Sequence, residues 1–422
     1  MPTDSAPADQ RGLPAQTFGV PPALRRRLYG LGFVDELGPI YGVYTIWFSD
    51  NGISASQVST VFLLWAIVAI VFEVPSGAVA DLVDRRLLLA VAFVLRAIGI
   101  AIWIVEPSFA GILVGASLWS IHSSLASGAW EALIHDELAG VGASARYAST
   151  MAQIEQCSAI GILSGTAIAT VVLWLGGTIE QLGWATVALH AVSVWLVLRL
   201  ADVRWVARAG SATDDEPVGE VDDPSAGWFT ILLDGVRFVA RHRLALRLLV
   251  IGSIVEGLYI VDDYVPLLAR ERGATDATVP VFVGVIFVGL VVGDEIVVRR
   301  PGLSGRVVGA GLAGGGVAVV VAMLTTSMWP LLLVGIAYLA QEIAVLVSDA
   351  RFQEHVPPAR RATATSVRSF VSAVVSVLAI GLVTALSTSE VSVWALAGFG
   401  AVLCATGLLA ARWLPLPVRR AR

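Results

Sequence analysis

The chain has 422 residues, 56% of them hydrophobic and only 14% charged, with a mean hydropathy of +0.79. A soluble protein of that length needs a mostly polar surface, so the composition excludes one and makes lipid the solvent. The net charge of −5 argues against a nucleic-acid partner, because the 28 basic residues, all Arg, are spread along one membrane face.

Residues 1–27 are polar and rich in Pro and Ala. They read as a cytoplasmic tail without a cleavable leader, since the first apolar run is long enough to anchor itself. Beyond them, apolar runs of about twenty residues recur without the alternation of a barrel strand; at 1.5 Å per residue each crosses a bilayer as a helix. Twelve spans are expected, at 28–48, 57–78, 86–105, 109–135, 147–176, 180–200, 246–268, 279–298, 304–325, 328–348, 366–387 and 391–412. Glu106-Pro107-Ser108 is the breaker between the third and fourth; a single re-entrant hairpin there is the less favoured alternative.

Arg clusters decide the topology. Four precede the first span, further ones follow each even-numbered span, and Arg412, Arg419, Arg420 and Arg422 follow the last, whereas the opposite side holds only Arg270 and Arg272. Both termini are therefore expected in the cytoplasm. The longest polar stretch, acidic between Ser211 and Pro224, divides the chain. Residues 28–200 form a first six-helix bundle, 201–245 a cytoplasmic linker with an interfacial helix near Trp228 to His242, 246–412 a second six-helix bundle, and 413–422 a cytoplasmic tail.

The halves repeat at an offset of 221 residues. Gly52-Ile-Ser-Ala-Ser-Gln-Val58 falls on Gly273-Ala-Thr-Asp-Ala-Thr-Val279, Asp35 on Glu256, Glu73 on Asp294, and Arg85 on Arg306. A parallel repeat favours a transporter whose halves rock about a central site.

After the second span the chain reads Gly77-Ala-Val-Ala-Asp81-Leu-Val-Asp84-Arg85-Arg86. This resembles the turn signature between helices 2 and 3 of the major facilitator superfamily, with Leu82 and Asp84 departing from it. Phe72-Glu-Val-Pro-Ser-Gly77, Ser127-Gly-Ala-Trp-Glu131 with Asp136, and Arg361-Ala-Thr-Ala-Thr-Ser366 resemble bacterial members of that superfamily over residues 28–412. Gly161-Ile-Leu-Ser-Gly165 resembles the fifth-helix signature of drug/proton antiporters but lacks its Pro, so the likeness is to a drug-efflux-like member. The resemblance implies an all-α membrane protein with twelve transmembrane helices in two pseudo-symmetric bundles, the major facilitator fold. It also implies that Asp81 sits near the helix start at Arg361 to Ser366, and that Arg85 pairs with Asp136. Asp84 adds an acid that competes for Arg85.

Acids inside a span are costly in lipid and are expected to face the bundle interior or water. Asp35, Glu36, Arg96, Glu131, Glu155, Glu256 and Glu342 are the expected proton and substrate pathway. Arg96 reads as the only Arg deep in a span, and its partner is Asp35, Glu36 or Glu131. The static alternative is a buried ion-pair network around Arg96. Glu73, Gly77, Asp81, Arg85, Arg86, Asp136, Asp294, Arg306 and Arg361 are the expected gate and conformational switch. Asp262, Asp263 and Tyr264 line an entrance or simply meet water; His122, His135 and His190 read as packed or hydrogen-bonded rather than as proton relays. Tyr41, Tyr44, Trp47, Trp65, Trp119, Trp130 and Tyr338 are candidates to shape a pocket, Trp47 equally an interface anchor.

No metal constellation, activated nucleophile or nucleotide loop is present, so neither an enzyme nor a cofactor is expected. The expectation is a monomeric proton-coupled antiporter in a bacterial inner membrane that exports small hydrophobic or amphipathic compounds. The alternatives are a proton-coupled metabolite importer, supported if the pocket proves charged and selective for a polar solute, and a non-transporting receptor or assembly factor.

Overall fold

Gly38 and Pro39 fall inside the first expected span, and a proline without an N–H cannot continue a helix. In the computed structural model, which describes residues 19–200, 237, 239–300, 302–357 and 361–415, that run is two pieces. Helix α1 (Pro22–Glu36) ends before Gly38, and α2 (Tyr44–Asp50) resumes after an irregular stretch. The expected continuous span is thus corrected to a broken one. Gly38 is required there because a Cβ would run into the Tyr41 ring.

Chain order continues with α3 (Ala55–Leu82), α4 (Arg85–Val105), α5 (Phe109–Gly140), α6 (Tyr147–Trp174) and α7 (Ile179–Leu198). Past the linker come α8 (Arg243–Gly257), a 3-10 turn (Asp262–Tyr264), α9 (Val265–Glu271), α10 (Val279–Arg299) and α11 (Gly305–Leu324). They are followed by α12 (Leu333–His355), α13 (Arg361–Leu386) and α14 (Val393–Trp413). Among the described residues eleven stretches are long and apolar enough to cross a membrane; the broken α1–α2 pair occupies the place of the first expected span. The protein is an all-α, many-span membrane protein. Helices α4 and α5 are separate and antiparallel, with Ser108 capping the second through Gly111 N–H at 3.2 Å, so no re-entrant hairpin forms.

The repeat reappears in the helix boundaries. Displaced by 221 residues, α1 falls on α8 and α2 on α9, residue for residue at both ends. Gly52 and Gly273 both take the left-handed conformation, at φ +84° and +89°, ending α2 and α9 in the same turn. The seventh expected span, like the first, is therefore broken, although it has no proline at the interruption. Side chains of neighbouring helices take up the freed backbone groups: Thr186 accepts from Ile40 N–H at 3.3 Å, Ser376 donates to Gly257 C=O at 3.1 Å, and Tyr338 accepts from Asp262 N–H at 2.9 Å.

Glycines set the closest approaches. A Cβ at Gly161 would overlap the Phe33 carbonyl, which brings α6 against α1 as the Gly161-x-x-x-Gly165 spacing suggests. Gly309 and Gly316 of α11 interlock in the same way with Gly407 and Gly400 of α14. Between halves, α3 packs on α13 and α6 on α10, two contacts that the repeat exchanges.

Of the expected linker at 201–245 and its interfacial helix, residues 201–236 and 238 lie outside the described residues, as do 1–18 and 416–422 of the expected tails at 1–27 and 413–422.

Candidate functional site

The break after α1 turns Tyr41 and Tyr44 inward, and the break after α8 does the same for Asp262 and Asp263. A cavity of about 190 Å³ lies between them, also lined by Glu36, Thr45, Trp65, Arg96 and Trp119.

On the first-half wall Arg96 is buried, with its side chain 5% exposed, and of its three expected partners Asp35 is the one that binds it, Nη1 donating to Oδ1 at 3.1 Å. His122 Nε2 lies 3.4 Å from the same nitrogen. The guanidinium carbon sits 4.7 Å from the Tyr41 ring centre and 4.6 Å from that of Trp119. An ion pair and two π faces offset the desolvation of this cation. Tyr41 in turn meets His190 Nε2 at 3.1 Å. Both histidines are thus hydrogen-bonded into the Arg96 group.

On the second-half wall Tyr338 donates to Asp262 at 2.6 Å, and Tyr44 reaches across from the first half to donate to Asp263 at 2.8 Å. Deeper, Tyr259 donates to Glu342 at 2.8 Å, and Asp294 is within hydrogen-bonding reach of the same carboxylate. Glu256 accepts from Arg368 at 3.1 Å and from Ser372 at 3.0 Å, and Arg368 also pairs with Asp349.

Arg368 corrects the expectation that Arg96 is the only deep Arg. Helix α13 begins at Arg361, five residues before the expected span, so Arg368 lies two turns inside and its side chain is only 9% exposed. The apolar run starts late because this first stretch lines the space beside α3 with Thr365, Ser366 and Ser369. Arg351, expected in a turn, is likewise buried: α12 continues to His355, and Arg351 donates to the Leu303 carbonyl.

Glu131 and Glu155 are exposed, and Glu155 is close enough to Glu36, Asp294 and Glu131 for mutual repulsion. Glu73 is exposed and lines a second space of about 720 Å³ between α3 and α13, together with Thr365, Ser369 and Ser376. Trp65 lines both spaces. This second space lies toward the Arg-rich end of both helices. Toward the Arg-poor end the same helices touch, Ser56 N–H donating to Thr388 C=O at 3.1 Å, and Arg270 joins Asp50 at 3.1 Å.

At the turn after α3, Arg85 pairs with Asp136 and donates to Ala132 C=O at 3.1 Å. Asp84 does not compete for Arg85. It caps α4 through Arg86 N–H at 2.8 Å and pairs with the Arg86 side chain at 2.8 Å. Burial raises the Asp84 carboxyl, but the Arg86 bonds outweigh it and hold the group below the usual range. Arg306 is exposed at the start of α11. The side chains of Gly77, Asp81 and Arg361 lie outside the described residues.

Residues 33–379 match the Major Facilitator Superfamily, and the chain belongs to that superfamily: it is a membrane transport protein, not an enzyme. Among solved structures it is similar to the nucleoside transporter NupG at 14% identity, over 92% of this chain and 99% of that one, with a TM-score of 0.68. It is also similar to a D-xylose-proton symporter at 13% identity, over 93% and 97%, with a TM-score of 0.67. A third is a bacterial homologue of the human lysosomal transporter Spinster in an inward-facing conformation, at 16% identity, over 93% of each chain, with a TM-score of 0.60. At these identities the likeness is one of fold. No curated protein sequence matches the chain.

Proposed function

We propose that the protein is a proton-coupled importer of a small polar metabolite, a monomer whose two six-span halves rock about the cavity of Arg96, Asp262 and Asp263. The observation that carries this reading is the charge of that cavity: Glu36, Arg96, Asp262 and Asp263 all line it. A drug-efflux pocket is chiefly apolar, whereas this one holds fixed charges that a greasy solute would have to desolvate without return. The similar D-xylose-proton symporter favours symport with protons in place of the export expected from the fifth-helix signature.

Asp35 and Glu256, repeat-related acids each paired with a buried Arg, are the proposed proton carriers. Protonation cancels the ion pair, leaves the Arg to find another partner, and so couples proton binding to the arrangement of helices. The second space, on the Arg-rich side, is the open pathway, and the contacts at Ser56, Tyr44 and Arg270 are the closed gate of this state. The Arg85–Asp136 pair, with Asp81 near the start of α13, belongs to the opposite gate. The expected export of amphipathic compounds keeps one supporting feature, the aromatic lining of Tyr41, Tyr44, Trp65 and Trp119.

The test is uptake into proteoliposomes, acidic outside, with a panel of nucleosides, sugars and amino compounds. Gradient-driven accumulation that collapses in Asp35→Asn and Glu256→Gln is the expected result. Accumulation that ignores the proton gradient, or survives in both variants, sinks the coupling.

A further inference from the structure

We infer that the solute held in this cavity carries a protonated amine, bound by the carboxylates of Asp262 and Asp263 against the aromatic wall. The inference rests on the reading of the cavity as the transport site and deepens it by naming the substrate class.

Charge bookkeeping at the lining decides the sign of the ligand. The cation Arg96 already has Asp35 at 3.1 Å, and both of the ring faces beside it, Tyr41 and Trp119, are spent on its own guanidinium. Against that single committed cation stand Glu36, Asp262 and Asp263. An anionic solute would meet net repulsion, and a neutral one would leave the repulsion among these acids unrelieved.

Neither aspartate pairs with a cation among the described residues: Tyr338 and the backbone N–H groups of Asp262 and Asp263 donate to Asp262, and Tyr44 donates to one oxygen of Asp263. An ionised carboxylate accepts about four hydrogen bonds, so each retains acceptor capacity for an N–H donor. A third, independent observation points the same way. Thr45 lines the cavity, is 1% exposed, and its hydroxyl oxygen has no hydrogen-bond partner among the described residues. A buried hydroxyl is rarely left unpaired, and an ammonium with three donors satisfies Thr45 and both carboxylates at once. Trp65 supplies a π surface suited to the alkyl stem and charge of an amine.

The experiment is isothermal titration of the purified full-length protein with three amines and their deaminated partners, in which a hydroxyl replaces the amine. The pairs are 1,4-diaminobutane with 1,4-butanediol, ethanolamine with ethylene glycol, and alanine with lactate. At least one amine is expected to bind tenfold or more tightly than its partner, and to lose at least tenfold in Asp263→Asn and in Asp262→Asn. Equal binding of all partners, preference for the hydroxy compounds, or amine binding unchanged in both variants overturns the inference. The comparison on the unaltered protein does not depend on either variant folding. Because it reads equilibrium binding without a gradient, failure of amine selectivity and failure of proton coupling are separate results.

Discussion

The α1–α2 and α8–α9 segments share a backbone and differ in chemistry. Their boundaries coincide under the 221-residue displacement, yet the first presents Tyr41 and Tyr44 to the cavity and the second Asp262 and Asp263. Asp35 draws its Arg from α4, while its counterpart Glu256 draws one from α13. Repetition therefore preserves where a helix breaks, and each half chooses independently what the break displays. A transporter needs both: like halves to exchange packing on switching, and unlike walls to grip a polar solute.

The two Arg centres give the sharpest contrast. Arg96→Met leaves Asp35 without its cation among aromatic rings, and deleting one partner of a buried pair costs about 3–5 kcal/mol; the quarter exposure of Asp35 places this one near 3 kcal/mol. Arg368→Met frees Glu256 and Asp349, which are 38% and 39% exposed, and is expected to cost about 1 kcal/mol. Thermal unfolding in detergent measures both, and equal losses would erase the distinction between a sealed centre and a wet one.

Packing is the next difference. A leucine at Gly316 must displace the carbonyl of Gly400, whereas Gly314, two residues earlier on the same helix, has open space around it. Gly316→Leu is expected to destabilise by about 1–3 kcal/mol and Gly314→Leu by nearly nothing. If the two variants melt together, the α11–α14 interface is looser than its glycines imply.

The cross-half bond separates the walls more finely. Tyr44→Phe keeps the ring stacked on Trp103 at 5.5 Å but removes the donor to Asp263. A hydrogen bond to a charged group is worth about 1.5–3 kcal/mol. Its loss is expected to shift the population at least fivefold toward a state closed at the Arg-rich end, read as spin-label distances between α3 and α13. Tyr338→Phe, whose bond lies within one half, is expected to leave those distances unchanged.

Smallest is the effect at the α3–α4 turn. Because the folded Asp84 carboxyl lies below its unfolded value, its contribution is fully present above about pH 4 and is lost as the pH falls through the lower, folded value. Asp84→Asn keeps the cap but not the ion pair with Arg86. It is expected to cost under about 1 kcal/mol at pH 7 and less at pH 2.5, which urea titrations at the two pH values will check.

What the chain alone determined is local. Spans, Arg sidedness, the division into halves, the 221-residue repeat and the Gly161-x-x-x-Gly165 contact are legible because each residue in lipid is judged by its own helix face and length. The Arg85–Asp136 pair came through resemblance. The helix break at Gly38-Pro39 had a signal in the proline; the break after Gly257 had only Pro266 in the first turn of α9, and the groups that satisfy it, on Ser376 and Tyr338, lie on other helices.

Tertiary structure decided everything that joins residues far apart. Which acid holds Arg96, which acid takes Arg86, why Arg368 is buried, and that Asp262 and Asp263 line the cavity instead of meeting water all depend on helices brought together from distant parts of the chain. Hydropathy records only that a charge must avoid lipid, and every acid in a span obeys that equally; the partner is selected by packing, which no single helix contains.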